Sequence, residues 1–519
     1  MRRARDILLD WSEMLMIFTK AQLRRIDIRL LWLVCLAVAA FRVFTLVRWG
    51  NSYLWPDEIY QSLEQSHRLV FGYGIVPWEY RDAVRSWVFP GALAIFMALG
   101  APFGHGVYLF LPRLALSLLS LAPVVVTYLW VRRGTSRMMA VVAALCVGVW
   151  FELAYFAPKA LAEVVATHVL ILGFYLLLEH KSANRRRRAY LAGALLTAAA
   201  FLRLQLAPGI VVAFLTQVFA DWRNKEPHIK RGRDLLLGAV PVVALFGIVD
   251  AITWRYPFRS LWNYFAINIL SGKAAKYGVL PFDAFWNYFA NVWSLAFVPI
   301  LLLAVRGSRG RWPLTVAAIV TFFVHSAVGH KEYRFDYPVV VIVIVLAALG
   351  LAELTTDLAR RLPKVAMRRA LPWVGFAMWS AISLVLAMRF DMALIQVPME
   401  LNHTGSPWLV RKGAMSGMQE IGKNHGTCGV GMIYVGWGYV GGYSFLHRKV
   451  PMFEIRHRGE LAKMSHLVNA LIVRGRVRDF SPYRLEKCWE EYCIYRRPGG
   501  CQPAEAGYSI NNLLISRQQ

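Results

Sequence analysis

Apolar runs alternate with short clusters of Lys and Arg from about residue 28 to residue 390. Runs of roughly 15–20 residues whose charges are pushed to the ends are the pattern of helices that cross a bilayer. Leu30–Val47, Val107–Val131, Met138–Phe156, Leu161–Leu178, Leu235–Val249, Val292–Val305, Leu314–Gly329, Val339–Ala352 and Leu371–Met388 each predict one span. Tyr190–Phe219 has basic flanks at both ends, Arg188 and Arg223, so it must cross an even number of times. Two short arms are expected there, with Pro208 the natural break, because proline removes a helix donor. The total is about eleven transmembrane helices, within a range of about 10–13. Trp87–Phe103 is apolar as well, but counting it would invert the orientation of everything downstream. A re-entrant or interfacial helix is expected there instead.

The basic clusters set the orientation. Residues 1–27, Arg132–Arg137, Lys181–Arg188, Arg306–Arg311 and Arg360–Arg369 belong on the cytoplasmic side. Residues 1–27 alternate apolar and basic positions and predict a cytoplasmic interfacial amphipathic segment that passes into a signal-anchor first helix. Residues 28–390 form the transmembrane domain, with a first outside loop at 49–106, expected to hold interfacial helices, and a second at 252–290. The tail, 391–519, is expected to be a small α/β domain outside the cytoplasm.

Composition agrees with this and changes one inference. With 57% hydrophobic and 17% charged residues and a mean hydropathy of +0.43, an ordinary soluble chain is excluded. A net charge of +28 would suggest nucleic acid in a soluble protein. Here the cations sit in cytoplasmic turns, where anionic lipid explains them and no nucleic-acid partner is needed. Cys35 and Cys146 fall in spans, whereas Cys428, Cys488, Cys493 and Cys501 fall in the tail. Four exported cysteines suit two disulfides, with the pairing open among three arrangements. No pair has zinc-site spacing, and no metal ligand set is expected.

Charged groups near membrane level are costly unless partnered or functional, so acids on the outside face mark candidate chemistry. They fall in three places: Pro56-Asp57-Glu58-Ile59-Tyr60-Gln61-Ser62-Leu63-Glu64, Glu163 at the turn entering a span, and the hairpin from His325 to Pro338, which carries His330, Lys331, Glu332 and Arg334. Pro56 suits the first turn of a helix, on which Asp57, Gln61 and Glu64 are predicted to share one face. Arg203 and Gln205 lie at the break before Pro208, where a buried cation needs an anion. An acid serving as base beside cations that hold an anionic leaving group suits glycosyl transfer from a lipid-phosphate sugar. No Walker A loop and no GxSxG hydrolase elbow occur in the sequence. A transferase of another lipid-phosphate sugar is the alternative among enzymes; a lipid or sugar transporter is the rival from another class, but no internal repeat supports it.

The residues that carry this chemistry also carry a resemblance. Trp55 to Gly74, followed by Trp78-Glu79 and Arg85 to Gly91, closely resembles the first luminal loop of glycosyltransferase family 22, the lipid-phosphate-mannose dependent α-mannosyltransferases that act on GPI anchors and lipid-linked oligosaccharides. His330-Lys331-Glu332-Tyr333-Arg334-Phe335 resembles that family's HKExRF signature, and Asp250 to Asn268 with Tyr277-Gly278 and Pro281 resembles a third stretch. The tail segment Gly436 to Pro451 is similar to the carboxyl domain of some members, which suggests a divergent, bacterial branch. The resemblance implies a GT-C fold and inverting transfer of mannose from polyprenyl- or dolichyl-phosphate mannose to a lipid-linked or glycan acceptor, with no cofactor or metal. It implies a site that faces the periplasm, or the lumen of the endoplasmic reticulum in a eukaryote. Asp57 matches the catalytic aspartate, the general base, with Glu58 as an assisting acid. Gln61, Glu163, Arg203, Gln205, Tyr277, His330, Lys331, Glu332 and Arg334 are expected to bind the donor phosphate or substrate. Trp55, Pro77, Tyr80 and Phe282-Asp283 depart from the family pattern and bear on the acceptor more than on the reaction.

Overall fold

The apolar runs fold as helices that extend beyond their hydrophobic centres into the flanking basic turns. In the computed structural model, residues 28–104, 106–179, 184–225, 227–395, 405–477, 480–503 and 510 are described. The expected amphipathic segment at 1–27 lies outside them. Among the described residues, seven helices are long and apolar enough to cross a membrane by length and composition: Ile28–Trp49, Val107–Gly134, Leu204–Arg223, His228–Trp254, Ala284–Gly307, Tyr333–Arg361 and Val365–Arg389. Arg137–Val149, Ala162–Leu178 and Trp312–Ala327 are shorter apolar helices at sites of predicted spans.

One detail differs from the sequence expectation. The break in the Tyr190–Phe219 region falls at Arg203, between Arg185–Leu202 and Ala207–Arg223, and Pro208 occupies the first turn of the second helix. Proline is tolerated there because that N–H has no intrahelical partner, so the ring marks the restart of the helix and not its end. Val88–Gly100 folds back on Val107–Leu119, and a side chain at Gly100 would meet the backbone of Tyr108. One face of this helix buries Phe89, Leu93 and Met97 while Ile95, Leu99 and Phe103 remain exposed.

Close helix crossings rest on small residues, as expected where lipid removes most of the hydrophobic drive. At Gly307 and Gly350, an added Cβ would fall about 2 Å from the carbonyl oxygens of Leu346 and Leu303 respectively. Inside the bundle, the buried carboxyl of Glu152 accepts from the indole N–H groups of Trp150 (2.7 Å) and Trp293 (2.8 Å) and from the Tyr333 hydroxyl. Satisfying it with three donors is what makes an acid at that depth tolerable.

The tail is an α/β unit. Strands β1 (Val430–Ile433), β2 (Met452–Ile455), β3 (Ala470–Arg474), β4 (Arg484–Trp489) and β5 (Tyr492–Arg496) form one sheet in the order β2-β1-β3-β5-β4. β1 runs parallel to β2 and β3, while β5 is antiparallel to β3 and β4. The disulfides are Cys428–Cys501 and Cys488–Cys493, the latter between partners across the β4–β5 hairpin. This unit shares a continuous apolar core with the loop at residues 49–106: Tyr53, Ile59, Tyr60 and Leu63 pack with Met415, Met418, Val440 and Phe445.

Candidate active site

Pro56 and Asp57 open a helix that runs to Phe71 and ends at Gly72, whose left-handed conformation (φ 78°) suits glycine. Its first part, Glu58–Leu63, is a π turn. Such turns are rare and concentrate at functional sites. The wider turn keeps Gln61 beside Asp57, but it carries Glu64 to the opposite side. The expected shared face therefore holds only Asp57 and Gln61. Gln61 uses both amide hydrogens: Nε2 donates to Asp57 Oδ1 and, at 2.9 Å, to Glu79 Oε1.

Arg334 is the hub of the site. Nη2 pairs with Asp57 Oδ2, Nη1 with Glu163 Oε1 at 2.7 Å, and Nε with Glu332 Oε2 at 2.6 Å. Its side chain is 3% exposed, whereas Asp57 remains 28% exposed, so the aspartate is the member of the pair that solvent or a substrate can reach. Glu163 reaches on to Arg203 Nε at 3.3 Å. Glu332 also meets His330 Nε2 at 3.1 Å, and His330 Nδ1 lies 3.0 Å from the Gly278 carbonyl. Burial opposes ionisation of Glu332, yet the charge of Arg334 and the hydrogen bonds from His330 and Arg334 take its carboxyl down to about 2. Residues separated by some 280 positions in sequence thus form one charge cluster at one end of the bundle.

Several expected ligands are placed differently. Arg334 is fully engaged by three carboxylates and organises the cluster rather than presenting a free phosphate-binding fork. Lys331 points away, donating to the carbonyls of Leu280 (2.9 Å) and Val328 (2.5 Å), so its ammonium clamps the second loop to the hairpin. Glu58 faces the other side of its helix, 3.7 Å from Lys159 Nζ, with both side chains 2% exposed; this buried pair does not touch Asp57. Gln205 enters through its backbone carbonyl, 3.3 Å from His325 Nε2. Tyr277 does come to the site: its ring lies 6.1 Å from that of His330, and burial followed by the negative charges of Glu79 and Asp57 pushes its hydroxyl up to about 12.

Glu79 was not among the expected site residues. It is buried, and burial first, then the charge of Asp57, raises its carboxyl to about 7. The signal available in the sequence was an acid in Trp78-Glu79-Tyr80 on the outside face, the same criterion that selected Asp57. Beside the cluster opens a pocket lined by Gln61, Arg85, Phe201, Arg203, Phe246 and Tyr264, among others. Its walls combine aromatic surface with two cations, Arg85, which lies over the Tyr264 ring at 5.4 Å, and Arg203, and one acid, Asp250. A lipid phosphate offers matching chemistry, an apolar chain joined to an anion.

Residues 32–447 match the Alg9-like mannosyltransferase family. The chain belongs to that family. GPI alpha-1,2-mannosyltransferase 3 of Xenopus laevis is 26% identical over 330 residues, which cover 62% of this chain and 60% of that protein. GPI mannosyltransferase 3 of Schizosaccharomyces pombe is 29% identical over 350 residues, covering 60% and 66%. The chain thus matches about three fifths of the length of such curated relatives. Among solved structures, ArnT from Cupriavidus metallidurans bound to undecaprenyl phosphate aligns with a TM-score of 0.57 at 13% identity, covering 91% of this chain and 99% of that one. The fold is of the GT-C type, in a multi-pass integral membrane protein.

Proposed function

We propose that this protein transfers a mannosyl residue from a polyprenyl- or dolichyl-phosphate mannose to a lipid-linked or glycan acceptor on the outer, periplasmic or luminal, face of its membrane. Asp57 acts as general base: it takes the proton of the acceptor hydroxyl as that oxygen attacks the anomeric carbon, and the sugar leaves its phosphate with inversion. One base suffices for such a displacement. The observation that carries this reading is the partly exposed Asp57 carboxylate, held between Arg334 and Gln61 beside a cavity of lipid-phosphate character. Arg203 and Arg85 supply charge for the departing phosphate. The family membership supports mannose as the sugar, and a GT-C neighbour with undecaprenyl phosphate bound supports a lipid-phosphate donor.

The test is transfer of radiolabelled mannose from polyprenyl-phosphate mannose to membrane lipid or glycan extracts, with GDP-mannose as the comparison donor. Transfer from the lipid donor alone is expected. Transfer from neither donor, or equally from a different lipid-phosphate sugar, overturns the mannose assignment. The family resemblance implies a reaction without a metal, and a chelator in the assay is expected to leave the rate unchanged.

A pH dependence follows from Glu79. Its carboxyl, raised from 4.5 to about 7, is protonated below that pH and ionised above it. Ionised Glu79, across Gln61 from Asp57, adds negative charge where the acceptor proton is taken up and favours that uptake. The rate is therefore expected to rise with pH through about 7, and Glu79→Gln should flatten this limb. Superimposable profiles for the two proteins would remove Glu79 from the reaction.

A further inference from the structure

The π turn under Asp57 needs an explanation, because a relaxed α-helix would be the lower-energy local structure. What holds it comes from the other side of the helix, out of the tail. Glu64, fully buried, accepts three backbone N–H groups: Ile75 at 2.8 Å and Tyr443 at 3.0 Å on Oε1, and Ser444 at 2.7 Å on Oε2. The Tyr60 hydroxyl, one turn earlier, donates to the Trp437 carbonyl, and Tyr53 donates to Gly438 at 2.9 Å. Tyr108 reaches the Ser444 carbonyl at 2.5 Å, and His67 Nε2 lies 3.1 Å from His447 Nδ1. Gly442 makes the fit possible. It has φ +60°, and a Cβ there would fall 2.7 Å from Glu64 Oε2. Residues 437–447 thus form a socket for Tyr60 and Glu64.

We propose that Glu64, seated in the 437–447 socket of the carboxyl-terminal domain, is a positioning residue that imposes the π register and thereby aims Asp57 and Gln61. The geometry connects the two directly. In an unbroken α-helix Glu64 would lie on the face of Asp57; pinning Glu64 and Tyr60 into the tail while Asp57 pairs with Arg334 on the opposite side requires the wider turn between them. The domain is therefore a structural part of the catalytic loop, not a tethered module. Loss of the anchor lets the turn relax and rotates Asp57 relative to Arg334. A displacement of about 1 Å is enough to lower a reaction rate by up to roughly 100-fold.

The inference rests on the reading of Asp57 as the base, and the experiment separates the two. In the full-length protein, kcat and the KM for polyprenyl-phosphate mannose are compared among wild type, Glu64→Gln, Gly442→Ala, Asp57→Asn and the double variant Glu64→Gln with Asp57→Asn. Glu64→Gln places amide hydrogens against backbone donors, and Gly442→Ala disturbs the same contact from within the tail. Each is expected to lower kcat about 10-fold or more per inserted molecule, with little change in KM. Glu64→Gln should have no further effect once Asp57 is Asn, because the two then act as a unit. If Asp57→Asn is inactive while both Glu64→Gln and Gly442→Ala retain the wild-type kcat, or if the losses multiply in the double variant, the positioning role is wrong and the function stands. If Glu64→Gln fails to insert, Gly442→Ala alone decides by its kcat. If Asp57→Asn is as active as wild type, the function reading fails and this inference falls with it.

Discussion

Asp57→Asn is expected to lower mannosyl transfer by at least about 100-fold while the protein still inserts and folds. The separation of the two effects follows from the geometry. Asparagine keeps the size of the side chain and one acceptor oxygen, so Gln61 can still donate to it. Arg334 loses one of three carboxylate partners but retains Glu163 and Glu332. Because Asp57 is the partly exposed member of the cluster, removing its charge leaves no fully buried cation without an anion. What disappears is the group able to accept a proton. The measurement is labelled mannose transferred per inserted molecule, alongside the thermal stability of the detergent-solubilised protein. An Asn variant that transfers at the wild-type rate would move the base elsewhere, and Glu79, sharing the Gln61 amide, would be the next residue to test.

The membrane core was legible in the sequence because lipid imposes a simple rule: every spanning segment must be apolar and helical, with its charges at the ends. The runs around Leu30–Val47, Leu235–Val249 and Leu371–Met388 announce themselves this way, and the structure lengthens each of them. The candidate site was legible as a set of residue types in the wrong electrostatic place: acids at the outer ends of spans, and a His-Lys-Glu-Arg hairpin opposite the basic side. Which way each side chain points was not. Asp57 and Glu58 are adjacent, equally acidic and on one helix; the first enters the cluster and the second pairs with Lys159 because of what lies across from each. That information sits about 100 and 280 residues away in the chain.

The π turn is a second case. Helical periodicity assigned Glu64 to the face of Asp57, and the assignment failed because two backbone donors of the tail, Tyr443 and Ser444, join Ile75 of the loop in holding its carboxylate on the other side. Lys331 and Arg334 show the same limit: three residues apart in one signature, they differ in whether carbonyls or carboxylates face them. Glu79 was visible by the criterion applied to Asp57, and its importance depends on Gln61 bridging the two acids, a contact no spacing rule supplies.

Arg334→Met is expected to be the most damaging single change for stability. The substitution keeps much of the volume, but it leaves Glu163, Glu332 and Asp57 facing one another without the cation that neutralises them. Arg203 still reaches Glu163, and His330 still reaches Glu332, so compensation is partial. Removing one partner of a buried ion pair costs about 3–5 kcal/mol, and this guanidinium serves two buried or half-buried acids besides Asp57. Arg334→Lys separates charge from geometry. An ammonium restores the charge but cannot present three donors in a fixed fork, so it should recover folded protein without recovering activity. The sign of the pH effect agrees: Glu332, held at about 2 against an ordinary 4.5, contributes stability that is present above pH 4.5 and lost as pH falls toward 2. Fluorescence-detected size exclusion after a thermal challenge reads the folded fraction, and the mannose assay reads the rest. Loss of folded protein for Met, with folded but at least 10-fold less active protein for Lys, is the expected outcome. A Met variant that survives heating like wild type would mean that these acids are neutral in the folded protein and that the cluster is not held by charge.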